Sequence, residues 1–455
     1  MREGFAEGGG VNFRLAWAGK IEQNAAIETI QYRIMAVCVG PFRHRRTARL
    51  RAYRSPRKLE RERKLELPVK KTMRRALGKT AGGKKRSRFA APAAGQHTLE
   101  EIFSQPRIWA ETARQLHQQG TLEELSKIFS AERPWLFVAC GSSYYLSQLV
   151  AAMWGKYFSI PCTAVAASEF LFAPAETLRR TGAQQAALVS RSGETTEVLR
   201  AAELLKSQAG IRTLGVTCNA GGPLEKLCTQ TLKLPWADEK STVMTRSFTS
   251  MLLSFQRLGA HLANRKEFTG ALDGLPEKVQ PWLQENAAKI QALAANRVFA
   301  DFVFLGQGTH YWLAQEAALK ITEMSSSYAQ AYHTLEFRHG PRSIAGRDTL
   351  ITFLLSDAAA EEEALLAGEL KELGAATLVI TNHGTPALKR SSDLLLELGL
   401  EEPEFARLAP TAIPAHLLGT AVGLRKGLNP DAPKNLTRAV VLGMNGSGSA
   451  QRRDD

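Results

Sequence analysis

WLFVACGSSYYLSQLVAAMWGKY, residues 135–157, opens on an apolar block, turns at Gly141 and continues with apolar residues at helical spacing. The block from Pro134 to Cys140 reads as a buried strand, such as a parallel sheet covered on both faces requires, and the turn after it hands the chain to a helix. Residues 302–324, FVFLGQGTHYWLAQEAALKITEM, repeat this order of strand, turn and helix. Internal similarity of this kind predicts two like α/β domains. Short apolar strands, AALVS at Val189, TLGVTCN ending at Asn219, TLITFLLSD ending at Asp357 and TLVITN ending at Asn382, alternate with helical stretches, a rhythm that predicts parallel sheets flanked by helices. The helical, proline-punctuated stretch from about Leu275 to Asn296 is expected to join the two halves. Helical periodicity starts at TLEEIFSQPRIWAETARQLHQQG, after His97, so the folded body is expected to begin there.

Composition bounds the rest. A chain of 455 residues with 44% hydrophobic and 23% charged content can bury two ordinary cores and is neither fibrous nor wholly disordered. The five cysteines, Cys38, Cys140, Cys162, Cys218 and Cys228, show no C-x-x-C spacing, which fits thiols of a reducing compartment better than a disulfide framework or a zinc site. With no apolar run of membrane-spanning length and no signal-like start, the chain reads as cytoplasmic. The net charge of +15 is local: residues 1–95 hold 24 Lys and Arg against 7 Glu, a balance of +17, which leaves −2 for residues 96–455. The segment from Pro41 to Arg88 is basic and lacks apolar periodicity, so residues 1–95 are expected to be a disordered arm. It reads as a nucleic-acid arm or as translated upstream sequence preceding an internal start such as Met73. The lack of interleaved aromatic or helical recognition patterns favours the second, and no nucleic-acid partner is expected. The final GMNGSGSAQRRDD reads as a Gly and Ser rich tail.

Two strand-to-helix turns carry hydroxyls. Cys140-Gly141-Ser142-Ser143 is one; Ser190-Arg191-Ser192-Gly193-Glu194-Thr195-Thr196, ahead of EVLRAAELL, is the sharper. Hydroxyls together with free helix N–H groups favour an anion, and two such turns at strand ends of one parallel sheet suit a phosphate monoester bound without a metal. Taken singly, each turn reads equally as a helix cap. Thr242, Met244 and Thr245 in STVMTRSFTS stand where they would close the pocket or merely start a core helix. On the helix beginning near Tyr311, Glu316, Lys320 and Glu323 stand four and three residues apart and share one face. That row is either a solvated ion-pair ladder or, given Ala317, Ala318 and Ile321 beside it, a partly buried acid-base group. His339, in EFRHGP, reads by itself as an ordinary loop histidine.

ACGSSYY, SRSGETTEVL and MTRSFTSMLL, followed by LAQEAALKITEMSSSYAQAY and EFRHGP, resemble the sugar isomerase (SIS) family over about residues 97–442. The likeness is strongest to the isomerase half of glucosamine-6-phosphate synthase and to the tagatose-6-phosphate and galactosamine-6-phosphate isomerase/deaminase branch. It implies two tandem SIS domains, each a parallel sheet flanked by helices in a flavodoxin-like three-layer sandwich, at residues 96–284 and 285–425, then a closing tail at residues 426–455. By resemblance Ser142, Ser143, Ser190, Arg191, Ser192 and Thr195 bind the sugar phosphate, with Arg191 where the synthase has Gln. Glu323 falls on the proton-shuttling carboxylate, Lys320 on its neighbouring lysine, and His339 on a ring-opening histidine supplied by another subunit. Arg438 falls on the synthase's Schiff-base lysine, a part that an arginine cannot play. Arg2 follows Met1 where the synthase's glutaminase has its cysteine, and residues 1–95 are too few for that domain, so glutamine hydrolysis is not expected. The expected activity is a cofactor-free isomerase or deaminase of a hexose or hexosamine 6-phosphate, working as a homodimer. The alternatives are a synthase-type transaminase (isomerizing) using ammonia from elsewhere, and a phosphosugar-binding sensor without turnover.

Overall fold

A computed structural model describes residues 93–207 and 210–442; the basic arm up to residue 92, Met73, Cys38 and the Gly and Ser rich end lie outside the described residues. The strands are β1 Trp135–Ala139, β2 Cys162–Ala166, β3 Gln185–Val189, β4 Arg212–Thr217, β5 Gln230–Lys233, β6 Asp301–Gly306, β7 Tyr328–His333, β8 Thr349–Leu354, β9 Ala376–Thr381 and β10 Leu394–Glu397. The principal helices are α1 Gln96–Phe103, α2 Gln105–Gln118, α3 Gly141–Phe158, α4 Thr196–Lys206, α5 Arg246–Leu262, α6 Leu275–Asn296, α7 Thr309–Ser325, α8 Ala360–Glu372 and α9 Glu404–Arg425.

All ten strands pair in parallel, in two sheets of order β2-β1-β3-β4-β5 and β7-β6-β8-β9-β10. The second sheet repeats the first, which bears out the two tandem SIS-like sandwiches; each order is the flavodoxin-like one. Alternation along β1 explains the layers. Trp135, Phe137 and Ala139 enter one large core, whereas Leu136 and Val138 enter a smaller one with Phe170, Val198 and Leu205. The second sheet divides likewise, with Phe302 and Phe304 in the large core and Val303 and Leu305 in an outer one. The large core is therefore shared by the two sheets, and α3, α5, α7 and α9 cross it. The segment expected to join the halves is the single helix α6, which carries Pro281 inside it. A boundary at residues 284/285 falls within that helix.

MTRSFTSMLL is a core element: every residue of α5 from Ser247 to Ala260 is buried. No helix among the described residues is long and apolar enough to cross a membrane. Cys140, Cys162, Cys218 and Cys228 are free thiols.

Candidate active site

β1 and β3 are neighbours, with Ala139 opposite Val189, so the turns that follow them leave the same C-terminal edge of the first sheet. Open parallel sheets hold ligands at this edge. After β1, Gly141 takes φ +56 at the start of α3, and Ser142 and Ser143 follow it in the first turn. After β3, the turn needs a glycine at position 193, where φ is +66 and a Cβ would meet Thr217 Oγ1 at 2.9 Å. The turn brings Ser190 Oγ to 3.0 Å from Thr195 Oγ1 and 3.4 Å from Ser192 Oγ. The Gly193 and Glu194 amides donate to the Ser190 and Ser192 hydroxyls, each at 3.2 Å. Thr195 occupies the N-cap of α4, yet its hydroxyl makes no capping bond. A cap would use that oxygen on the helix; here it meets the Ser190 hydroxyl instead.

The second domain reaches this cradle through α7. Lys320 Nζ donates to Ser142 Oγ at 3.0 Å, lies 3.3 Å from Glu316 Oε1 and pairs with Glu323. The row is no solvated ladder, for Glu316 and Lys320 are 1% and 0% exposed. Glu323 keeps partial access, its side chain being 19% exposed. Burial pushes the Glu316 carboxyl up to about 7, against the pull of Lys320. On Lys320 burial acts downward, but Glu316 and Glu323 outweigh it and hold the ammonium above its usual range. The carboxyl that burial visibly raises is thus Glu316.

Two side chains passed over in the sequence belong to these surroundings. Burial raises the Tyr145 phenol, and Glu316 and Glu323 are close enough to add to the shift. His416 on α9 is fully buried with neither ring nitrogen hydrogen-bonded; burial pushes it down to about 3, with Lys320 contributing. Tyr145 was signalled only by its place two residues past the Ser142-Ser143 pair. His416 stands in an apolar stretch that reads as plain core.

α9 also fixes α7 in place. A Cβ at position 419 would lie 3.1 Å from the Lys320 carbonyl oxygen, and one at position 423 only 2.2 Å from that of Met324. Gly419 and Gly423 therefore let the two backbones touch where the Lys320–Glu323 face is presented.

Three expected site residues are occupied otherwise. The Arg191 guanidinium, 5% exposed, donates to the carbonyls of Thr242 at 2.8 Å, Val243 at 3.2 Å and Arg438 at 3.2 Å, and pairs with Glu239 at 3.4 Å. Those Nη donors are engaged by protein oxygens, so Arg191 acts as a strut, while its buried Nε has no hydrogen-bond partner among the described residues. Arg438 pairs with Asp238 and donates to the Glu239 carbonyl. Thr242 is half-buried and bound through its backbone, its amide donating to the Asp431 carbonyl at 2.8 Å. The tail continues to the second turn, where the Thr196 amide donates to the Val440 carbonyl at 3.1 Å. His339 is exposed, and no hydrogen bond or ion pair among the described residues joins its ring to the cluster. Ser143 Oγ, by contrast, is 3.8 Å from Met244 Sδ, so Met244 does border the first turn.

The SIS domain model matches residues 128–260 and 301–416. The glutamine–fructose-6-phosphate aminotransferase [isomerizing] of Gloeobacter violaceus is 27% identical over 359 residues, covering 76% of this chain and 58% of that protein. The Escherichia coli K12 enzyme of the same name is 28% identical over 365 residues, covering 75% of this chain and 58% of its own. The chain thus spans little more than half the length of these curated relatives. Among solved structures, glucosamine-6-phosphate deaminase from Thermotoga maritima superposes with a TM-score of 0.61 at 30% identity, over 76% of this chain and 100% of that one. Tagatose-6-phosphate ketose/aldose isomerase from Escherichia coli shares the fold, with a TM-score of 0.67 at 19% identity over 79% of this chain and 100% of that one.

Proposed function

Because the chain belongs to the SIS domain family, we propose that it is a sugar-phosphate isomerase or deaminase that moves a proton between C1 and C2 of a hexose or hexosamine 6-phosphate. The observation that carries this reading is the 3.0 Å bond from Lys320 to Ser142, which abuts an acid-base helix on a cradle of hydroxyls. Ser142, Ser143, Ser190, Ser192 and Thr195 hold the phosphate. Glu323, the accessible carboxylate of the row, takes the proton from one carbon and returns it to the other through an enediol or enolamine. Lys320, kept cationic by two carboxylates, stabilises the charge that develops on the substrate oxygen. Where C2 carries an amine, the enolamine becomes an imine whose hydrolysis consumes water and releases ammonia and the ketose phosphate. His339 opens the sugar ring, entering the site of a neighbouring subunit, so the working unit is a homodimer.

A Schiff base with the open ketose needs a neutral amine. The ammonium of Lys320 is held protonated and Arg438 is an arginine, which favours direct proton transfer over the synthase manner. Glucosamine 6-phosphate, galactosamine 6-phosphate, and fructose 6-phosphate with ammonia, offered separately, test the proposal by ammonia and sugar-phosphate assay. Turnover of at least one is expected. Binding of these phosphates with no turnover would replace the enzyme by a phosphosugar sensor.

A further inference from the structure

The segment from Thr334 to Arg342, which carries His339, is held by two carboxylates of one helix. On α8, Glu363 is fully buried and accepts from Thr334 Oγ1 at 2.6 Å and from the amide and hydroxyl of Ser356 at 2.8 and 3.1 Å. Further along, Glu369 accepts from Arg338 Nη2 at 2.9 Å and Arg342 Nη1 at 3.3 Å. Thr334 opens the segment, and Arg338 and Arg342 stand on either side of His339. Between them Phe337 is buried in the outer core, its ring 5.4 Å from that of Tyr332. Gly340, at φ +121, makes the bend after the histidine.

Ser356 follows β8, which neighbours β6 as β3 neighbours β1. The end of β3 carries the hydroxyl turn of the cradle. At the matching place in the second sheet, an internal carboxylate takes the hydrogen bonds of Ser356 and extends them to Thr334.

We propose that Glu363 and Glu369 are positioning residues that hold the Thr334–Arg342 segment so that His339 meets the sugar ring in one orientation. Their contribution falls on ring opening and not on the proton transfer that follows. This rests on the reading of His339 as the ring-opening group. Misplacing an acid-base group by about an ångström costs on the order of a hundredfold in rate. Burial pushes the Glu363 carboxyl up to about 7, so rates are best compared at about pH 8.5, where it is ionised.

Deuterium wash-in at C1 reports proton abstraction irrespective of the net reaction. It is measured in heavy water on fructose 6-phosphate, which must open, and on 5-deoxyfructose 6-phosphate, which has no hydroxyl with which to close a five-membered ring. Glu363→Gln should slow exchange of the cyclic substrate roughly ten- to a hundredfold and Glu369→Gln roughly three- to tenfold, with the open-chain substrate within about twofold of the parent. His339→Ala should show the same selectivity. Equal slowing of both substrates would mark α8 as a structural support only. Selectivity in His339→Ala without slowing in either carboxylate variant would overturn the positioning role alone, and no selectivity in His339→Ala would overturn its premise. Glu369, at the surface, serves as the arm that does not depend on replacing a buried group.

Discussion

Ser192 and Thr195 each present a hydroxyl that no helix cap consumes. Replacing either with Ala should weaken sugar-phosphate binding by about 1.5–3 kcal/mol, the worth of a hydrogen bond to a charged group, while the unphosphorylated sugar is unaffected. Calorimetric titration of both ligands checks this; equal losses for the two would make the turn a structural feature. Glu316 yields a pH signature. Its folded value of about 7 stands above the ordinary 4.5, so its favourable contribution is complete below the ordinary value and is lost as pH rises through the folded one. Glu316→Gln, neutral throughout, should therefore gain stability relative to the parent between pH 5 and pH 8. Denaturant unfolding at the two pH values would refute this if the difference stayed flat. Arg191 marks where reading residue types stops. An arginine in a hydroxyl turn suggests an anion ligand, but the carbonyls of Thr242, Val243 and Arg438 to which its Nη atoms donate are backbone atoms that no side-chain pattern announces.

At the scale of elements, the strands legible in the sequence were those with a long apolar run: β1, β3, β4, β6, β8 and β9. The four that did not stand out, β2, β5, β7 and β10, are the four sheet edges, short or half-exposed, so that neither face imposes an unbroken apolar run. Spacing alone put Glu316, Lys320 and Glu323 on one face, because the helical period is local. What holds that face in place was not legible, since the contact of α7 with α9 joins residues about a hundred positions apart. That contact makes Gly423 the sensitive point. Gly423→Ala places a Cβ against the Met324 carbonyl, and one backbone must retreat. The variant should lose roughly 1–3 kcal/mol of stability and, with α7 displaced, a disproportionate share of turnover at temperatures where it is still folded. Thermal unfolding beside an activity assay separates the two effects; unchanged activity per folded molecule would mean that α7 does not move.

For the whole molecule, the proposed site would draw its cradle from the first sandwich, its acid-base row from the second, and its histidine from a surface that turns outward. Glu323→Gln should cut turnover by roughly a hundredfold or more with binding preserved, and His339→Ala should also be inactive on cyclic substrate. If the histidine serves a partner, mixing the two inactive chains under conditions of subunit exchange restores activity, because some sites then contain both groups. No recovery, with exchange verified by differently tagged chains, would confine the site to one chain. The same wide reach has a bearing on biosynthesis. Thr98 donates to Asp431 across 333 positions, and Arg191 closes on the Arg438 carbonyl across 247. Translation delivers the hydroxyl turns well before the carbonyl on which Arg191 closes, for the ribosome makes the second sandwich in between. A nascent chain therefore carries the Arg191 turn through 247 further positions before the Arg438 carbonyl that braces it exists.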